Sequence, residues 1–195
     1  MTNKLILGID YGSNLAGTTA VCHLQGSALK FQISRKGSSA DEFLLKTINE
    51  LKPALIFIDA PLSLPLVYRS SDKADDFFYR TCDRALGAMS PMFLGGLTAR
   101  AMRFVQSLKS IGIEVYETYP AHTAKLLKLQ DYKTQIESVQ GQLSELSQSI
   151  GLSTRWPETT SLHHIDAYLA WWSGQRFLRR EHVTTGNKQE GVIIN

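Results

Sequence analysis

Residues 54–61, ALIFIDAP, carry the reading on which the fold turns. The apolar run from Ala54 to Ile58 lacks polar alternation, the pattern of a strand covered on both faces in a parallel sheet reached by a helical crossover. It ends in an acid, Asp59. Residues 5–13, LILGIDYGS, repeat the arrangement, with an apolar run giving way to Asp10 and a tight turn. If these two strands are neighbours, a spacing of about 5 Å brings both carboxylates to one point at the sheet edge. Like charges so placed repel, and burying them unpaired costs several kcal/mol, so each needs a donor or a cation to stay ionised. A divalent ion meets that need for both.

Outward from these runs, strands are expected at 4–10, 17–24 and 29–34, joined by Gly-, Ser- and Asn-rich turns into an antiparallel meander. A helix follows, with Ser39 and Glu42 as a capping box, Phe43, Leu44, Thr47, Ile48 and Leu51 on one face, and Pro53 as its stop. Residues 61–72, with Pro61 and Pro65, read as an irregular loop beside the site. Helices are predicted at 73–87 and 97–110, and a strand in IEVYETYPA carrying Glu117. Ile136, Val139, Leu143, Leu146 and Ile150 make 133–150 an amphipathic helix; a last helix spans 162–179, and EGVIIN adds an edge strand. This order describes an α/β fold, a three-strand antiparallel meander extended by parallel strands into a mixed sheet, with helices on both faces.

The third acid is Asp166, in SLHHIDAYLAWW. Helical spacing sets it with Leu162, Leu169, Ala170 and Ser173, on the face that meets the sheet. A capping or dipole role is the ordinary reading of an acid near a helix start, but this one lies beyond the first turn and faces inward. Gly12 and Ser13 would let a phosphate approach the backbone, or simply serve a turn. Ser63 and the prolines stiffen the bend after Asp59. Glu117 reads equally as a fourth ligand or as the partner of Arg80, Arg84, Arg100 or Arg103. His122, His163 and His164 have no zinc-motif spacing.

At 195 residues, 43% hydrophobic and 20% charged, the chain has ordinary globular composition, and residues 1–195 read as one domain. Its apolar runs are strand-sized and its start lacks a secretory pattern, so neither membrane insertion nor export is expected, and the cytoplasm is the expected location. Cys22 and Cys82 read as small core residues. A net charge of +3 suits an anionic partner without demanding one; the lysines at 125, 128 and 133 read as solvated surface.

Strand order and acid placement resemble the ribonuclease-H-like superfamily of resolvases, transposases and exonucleases. More closely, GIDYGSNLAGTTA, IDAPLSLP, RTCDRALGA, TARAMRF and YETYPA together resemble domain-of-unknown-function family 429, described as predicted nucleases of that fold. The resemblance spans nearly the whole chain. It implies a nuclease in which Asp10, Asp59 and Asp166 hold two Mg²⁺ or Mn²⁺ ions about 3.5 to 4 Å apart, with Glu117 beside them. One ion activates water and the other stabilises the leaving oxygen, while Arg80, Arg84 and Arg100, with Gly12, Ser13 and Ser63, meet a nucleic-acid substrate, DNA or RNA. Resolvase relatives act as dimers, which leaves a homodimer open, with the 133–150 stripe as a seam; packing within one core is the stronger reading of that stripe. Two rivals stand beside the nuclease. GIDYGS and GTT also resemble the phosphate-binding start of actin-like and sugar kinases, and a non-catalytic nucleic-acid-binding module would keep the same fold.

Overall fold

The computed structural model describes residues 4–70 and 74–195. Strands β1 (Ile6–Asp10), β2 (Ala20–Gln25) and β3 (Ala28–Ile33) form the antiparallel meander. Helix α1 (Ala40–Leu51) then crosses over to β4 (Leu55–Asp59), which lies parallel to β1. The crossover begins where Ser39 Oγ accepts from the Glu42 amide and ends where Lys52 turns left-handed before Pro53. Beyond β4, the short helices α2 (Thr81–Leu86) and α3 (Pro91–Leu94) precede α4 (Gly96–Lys109) and β5 (Glu114–Glu117), parallel to β4. Helices α5 (Pro120–Leu126) and α6 (Ile136–Ser149), a two-residue strand β6 (Ser153–Thr154) and α7 (Leu162–Leu178) follow, and β7 (Thr184–Asn187) and β8 (Gly191–Ile194) close the chain. The main sheet runs β5-β4-β1-β2-β3-β6. This is the α/β class and the mixed sheet that the sequence led us to expect.

Each face of the sheet has its own core. Ile6, Phe57 and Cys22 pack with Tyr168, Trp171 and Leu143 on one side, while Leu7, Ile9, Ile56 and Ile58 pack with Leu44, Ile48 and Phe104 on the other. The central strands β1 and β4 therefore supply buried side chains to both layers, and each fully buried Ile, Leu or Phe contributes about 1.5–3 kcal/mol. Helix α7 differs from an ordinary amphipathic helix. It is buried from Ile165 to Gly174 with Asp166 alone reaching partial exposure, because α5 and α6 cover the side turned away from the sheet. Among the described residues no helix is long and apolar enough to cross a membrane.

The close approach of α7 to β1 depends on Gly8. A Cβ there would overlap the backbone of Trp171 and Ala167. Gly8→Ala is expected to lower stability by about 1–3 kcal/mol, the usual cost of overpacking a filled core, and to weaken cation binding by displacing Asp166. Urea unfolding and Mn²⁺ titration check both halves; unchanged values in each would refute the close-contact account.

Three local expectations need correction. The helix expected over 73–87 is only α2, since the Asp76 carboxylate accepts from the Phe78 and Tyr79 amides and fixes a turn in place of helix; residues 71–73 lie outside the described segments. The helix expected from 133 begins at Ile136, because Asp131 and Lys133 hold left-handed backbone angles. The C-terminal strand β8 pairs with β7 in a separate two-stranded sheet and packs beside β5 without joining its ladder.

Candidate metal centre

The parallel register of β1 and β4 sets Asp10 directly opposite Asp59. Both strands deliver their last residue to the same sheet edge, and α7, held against β1 at Gly8, brings Asp166 over that edge. One oxygen from each of Asp10, Asp59 and Asp166 lies within 4.8 Å of the others, and all three residues are partly buried. Carboxylates from positions 10, 59 and 166 thus converge as a set of oxygen donors.

The surroundings do not neutralise three negative charges. Among the described residues, no lysine or arginine forms an ion pair with any of the three, and the single contact of that kind is His163 Nδ1 to Asp10 Oδ2 at 2.7 Å. Burial, then the charges of Asp10, Asp166 and Glu117, push the Asp59 carboxyl well above its usual range. Burial likewise raises Asp10, against the opposing pull of His163 and Lys133. Asp166 is pushed up to about 7 by burial and by Asp10, although the Tyr132 hydroxyl, donating to its Oδ1 at 2.5 Å, works the other way. Hard oxygen donors that resist ionisation for want of a counter-charge could hold a metal ion.

A cavity of about 300 Å³ opens beside the acids, walled among others by Asp10, Asp59, Tyr119, Lys133, Met89 and Leu94. Tyr132 and Lys133 belong to a stretch in which Lys128, Asp131 and Lys133 all hold positive φ, a costly conformation for residues with side chains. The cost places a phenol on Asp166 and an ammonium in the cavity wall. Sequence reading missed both, taking Lys133 for solvated surface; a tyrosine between an aspartate and a lysine leaves no periodic signal. Tyr132→Phe removes the hydroxyl that favours ionised Asp166, so the pH midpoint of Mn²⁺ binding is expected to rise by about half to one unit, as followed by titration calorimetry between pH 5.5 and 8.5. An unmoved midpoint would remove Tyr132 from the site.

Of the remaining expected site residues, Arg80, Glu117, Ser63, Arg100 and Gly12 hold the frame of the site. Arg80 is buried and binds Asp83, Ser63 and Glu117, so its guanidinium is not available to a substrate, and Glu117 answers Arg80 and the Leu62 amide in place of a cation. Ser63 is the acceptor for Arg80 Nη1 at 2.8 Å. Arg100 stacks on Tyr11, donates to its hydroxyl at 2.9 Å and to the Gly12 carbonyl, and pairs with Asp41. The Gly12 amide donates to Thr19 Oγ1 at 3.1 Å, and a Cβ at Gly12 would strike Thr18, so that glycine serves close packing of the turn. Ser13 is exposed in the same turn, and Arg84 lies over the Tyr79 ring with Asp76 as its ion partner. Of the histidines, His164 accepts from the Ser161 amide at the start of α7, while His163 is the one that reaches the acids.

No protein-family model matches the chain, and no curated protein matches it. What fold and site define together is an α/β protein whose mixed sheet and central helix gather three carboxylates able to hold a metal ion.

Proposed function

We propose that the protein is a metal-dependent nuclease of the ribonuclease-H-like kind, hydrolysing phosphodiester bonds in DNA or RNA with Mg²⁺ or Mn²⁺ held by Asp10, Asp59 and Asp166. The observation that carries this reading is the convergence of those three carboxylates at one sheet edge without a lysine or arginine partner among the described residues. A cation bound there supplies Lewis acidity towards a phosphoryl oxygen and lowers the pKa of a water ligand. The chain's own groups do the rest. Lys133, in the cavity wall, offers a positive charge to a phosphate. His163 steadies Asp10 through Nδ1, and Tyr132 steadies Asp166, so that two of the three donors are held in orientation.

The kinase-like alternative draws less from the geometry, because the Gly12 amide that would meet a phosphate donates to Thr19 Oγ1. Two measurements test the nuclease reading together. Calorimetric titration with Mn²⁺ is expected to show binding that strengthens as pH rises through about 7, since Asp166 must release a proton to become a ligand. Labelled single strands, duplexes and junctions of DNA and RNA are expected to be cut only with Mg²⁺ or Mn²⁺ present. Saturable ATP binding without metal-dependent cleavage of any of them would reverse the assignment.

A further inference from the structure

The segment that follows the loop after β4 exposes large rings. Phe77 is 54% exposed, Phe78 53%, Phe93 64% and the neighbouring Met89 61%. Phe78 and Phe93 meet at 5.6 Å between centroids, with Tyr79 edge-on to Phe93 at 5.8 Å. These rings are held outward by a hydrogen-bonded frame. Ser90 Oγ donates to the Phe78 carbonyl and accepts from the Met92 amide at 3.0 Å, Thr98 Oγ1 donates to the Pro91 carbonyl at 2.7 Å, and Asp76 fixes the Phe78 and Tyr79 amides. A frame that rigid presents apolar faces at defined positions, where loose chain would let the rings collapse together.

The patch borders the acidic cavity through its neighbours: exposed Met89, and Leu94 next to Phe93 in the chain, line the cavity that Asp10 and Asp59 also line. At its other margin Arg84, with a side chain 59% exposed, lies 3.8 Å above the Tyr79 ring. Flat apolar rings, an arginine stacked beside them with Asp76 as its ion partner, and a nearby cavity where Lys133 and a cation held by the carboxylates would meet phosphate match a polymer that alternates aromatic bases with phosphates. Stacked bases inside a duplex show no π-face to such a surface, whereas unpaired bases do.

We propose that Phe78 and Phe93 form a stacking platform for the unpaired bases of a single-stranded polynucleotide whose backbone enters the carboxylate cavity. This rests on the nuclease reading for the identity of the polymer, and it adds a preference for single strands over duplex. The test is fluorescence anisotropy of a labelled single-stranded 12-mer, its abasic counterpart and a duplex of equal length, each in Ca²⁺ and in EDTA, with wild-type protein and a Phe78→Ala/Phe93→Ala double variant. In Ca²⁺ the double variant is expected to bind the single strand at least roughly tenfold more weakly, the scale of a lost base–aromatic stack. The abasic strand is expected to bind wild type and variant alike, and circular dichroism of the variant to match wild type, because both rings are surface residues. Equal single-strand affinity of wild type and variant, with Mn²⁺-dependent cleavage intact, overturns the platform and leaves the nuclease. Aromatic-dependent binding of single strands without any Mn²⁺ binding or cleavage leaves the platform and overturns the nuclease. No oligonucleotide binding in either buffer overturns both, and a wild-type dimer that becomes monomeric in the variant, seen by sedimentation, assigns the rings to a second copy of the chain.

Discussion

Asp59→Asn is expected to abolish measurable Mn²⁺ binding and, in EDTA, to unfold at a higher temperature than the wild-type protein. Asp59 lies opposite Asp10 in the sheet and close to Asp166, and burial and both neighbours push its carboxyl well above the ordinary carboxylate range. The sign follows from proton linkage. An acid whose folded pKa exceeds its unfolded value binds more protons when folded, so metal-free stability falls as pH climbs from about 4 through the raised folded values and is flat above them. Asp166, at about 7, fixes part of that window. Replacing one carboxylate by a neutral amide lifts its own desolvation penalty and relieves the other two, which is worth about 1–3 kcal/mol at pH 8. For a chain of this size each kcal/mol moves the melting temperature by about 2–4 °C. Saturating Mn²⁺ inverts the comparison, since a ligand at about a thousand times its dissociation constant stabilises only the protein that binds it, by about 4.1 kcal/mol. Thermal unfolding of both proteins with Mn²⁺ and with EDTA, at pH 5 and pH 8, reads all of this at once. A variant that melts lower in EDTA while Mn²⁺ raises both proteins equally would show that the carboxylates are not the cation site.

The two strand-end acids of this site were readable because a parallel strand pair converts sequence into position with little freedom. The runs before Asp10 and Asp59 differ from each other hardly at all in polarity, and once both are placed in a parallel sheet their ends coincide; the register pairs the two aspartates directly. Asp166 was readable for a related reason, its helical spacing from Leu169 and Ser173, although that spacing gave no sign that α5 and α6 cover the opposite face of the helix. Burial of a helix on every side follows from which other helices pack there, and local periodicity does not encode that.

The residues around the acids were legible only in part. Tyr132 and Lys133 reach the site through left-handed residues at Lys128, Asp131 and Lys133, a conformation that neither lysine nor aspartate announces. His163 and His164 are adjacent and alike in sequence, and a rotation of about 100° along the helix separates the one that binds Asp10 from the one that accepts from Ser161. The arginines illustrate a different limit. A cation near a cavity can serve the ligand or serve the frame, and the choice depends on whether buried acids lie within its reach.

Arg80 makes that choice measurable, and Arg80→Ala is expected to destabilise the protein by about 3–5 kcal/mol, the usual result of stripping one partner from a buried ionic cluster. The guanidinium is 1% exposed and its five N–H groups meet five acceptors: Nε and Nη2 reach Asp83 at 3.0 and 2.7 Å, Nη1 and Nη2 reach Glu117 at 2.7 and 2.6 Å, and Nη1 reaches Ser63 at 2.8 Å. Removing it leaves two carboxylates buried with no compensating cation. Arg80→Lys is expected to restore little, because an ammonium has three donors and cannot span both acids in two-point contacts. The pH dependence separates this account from a simple packing loss. Burial already raises the Glu117 carboxyl and Arg80 holds it back, so without Arg80 it rises further and takes up a proton on folding. The penalty is then smallest below about pH 4, where Glu117 is protonated in the unfolded chain as well as in the folded variant, and it grows as pH rises from there towards 8. Urea unfolding across that range should show a deficit that widens with pH, whereas a cavity left by a missing side chain would give the same deficit throughout. Full stability combined with weaker oligonucleotide binding would return Arg80 to the substrate side of the site.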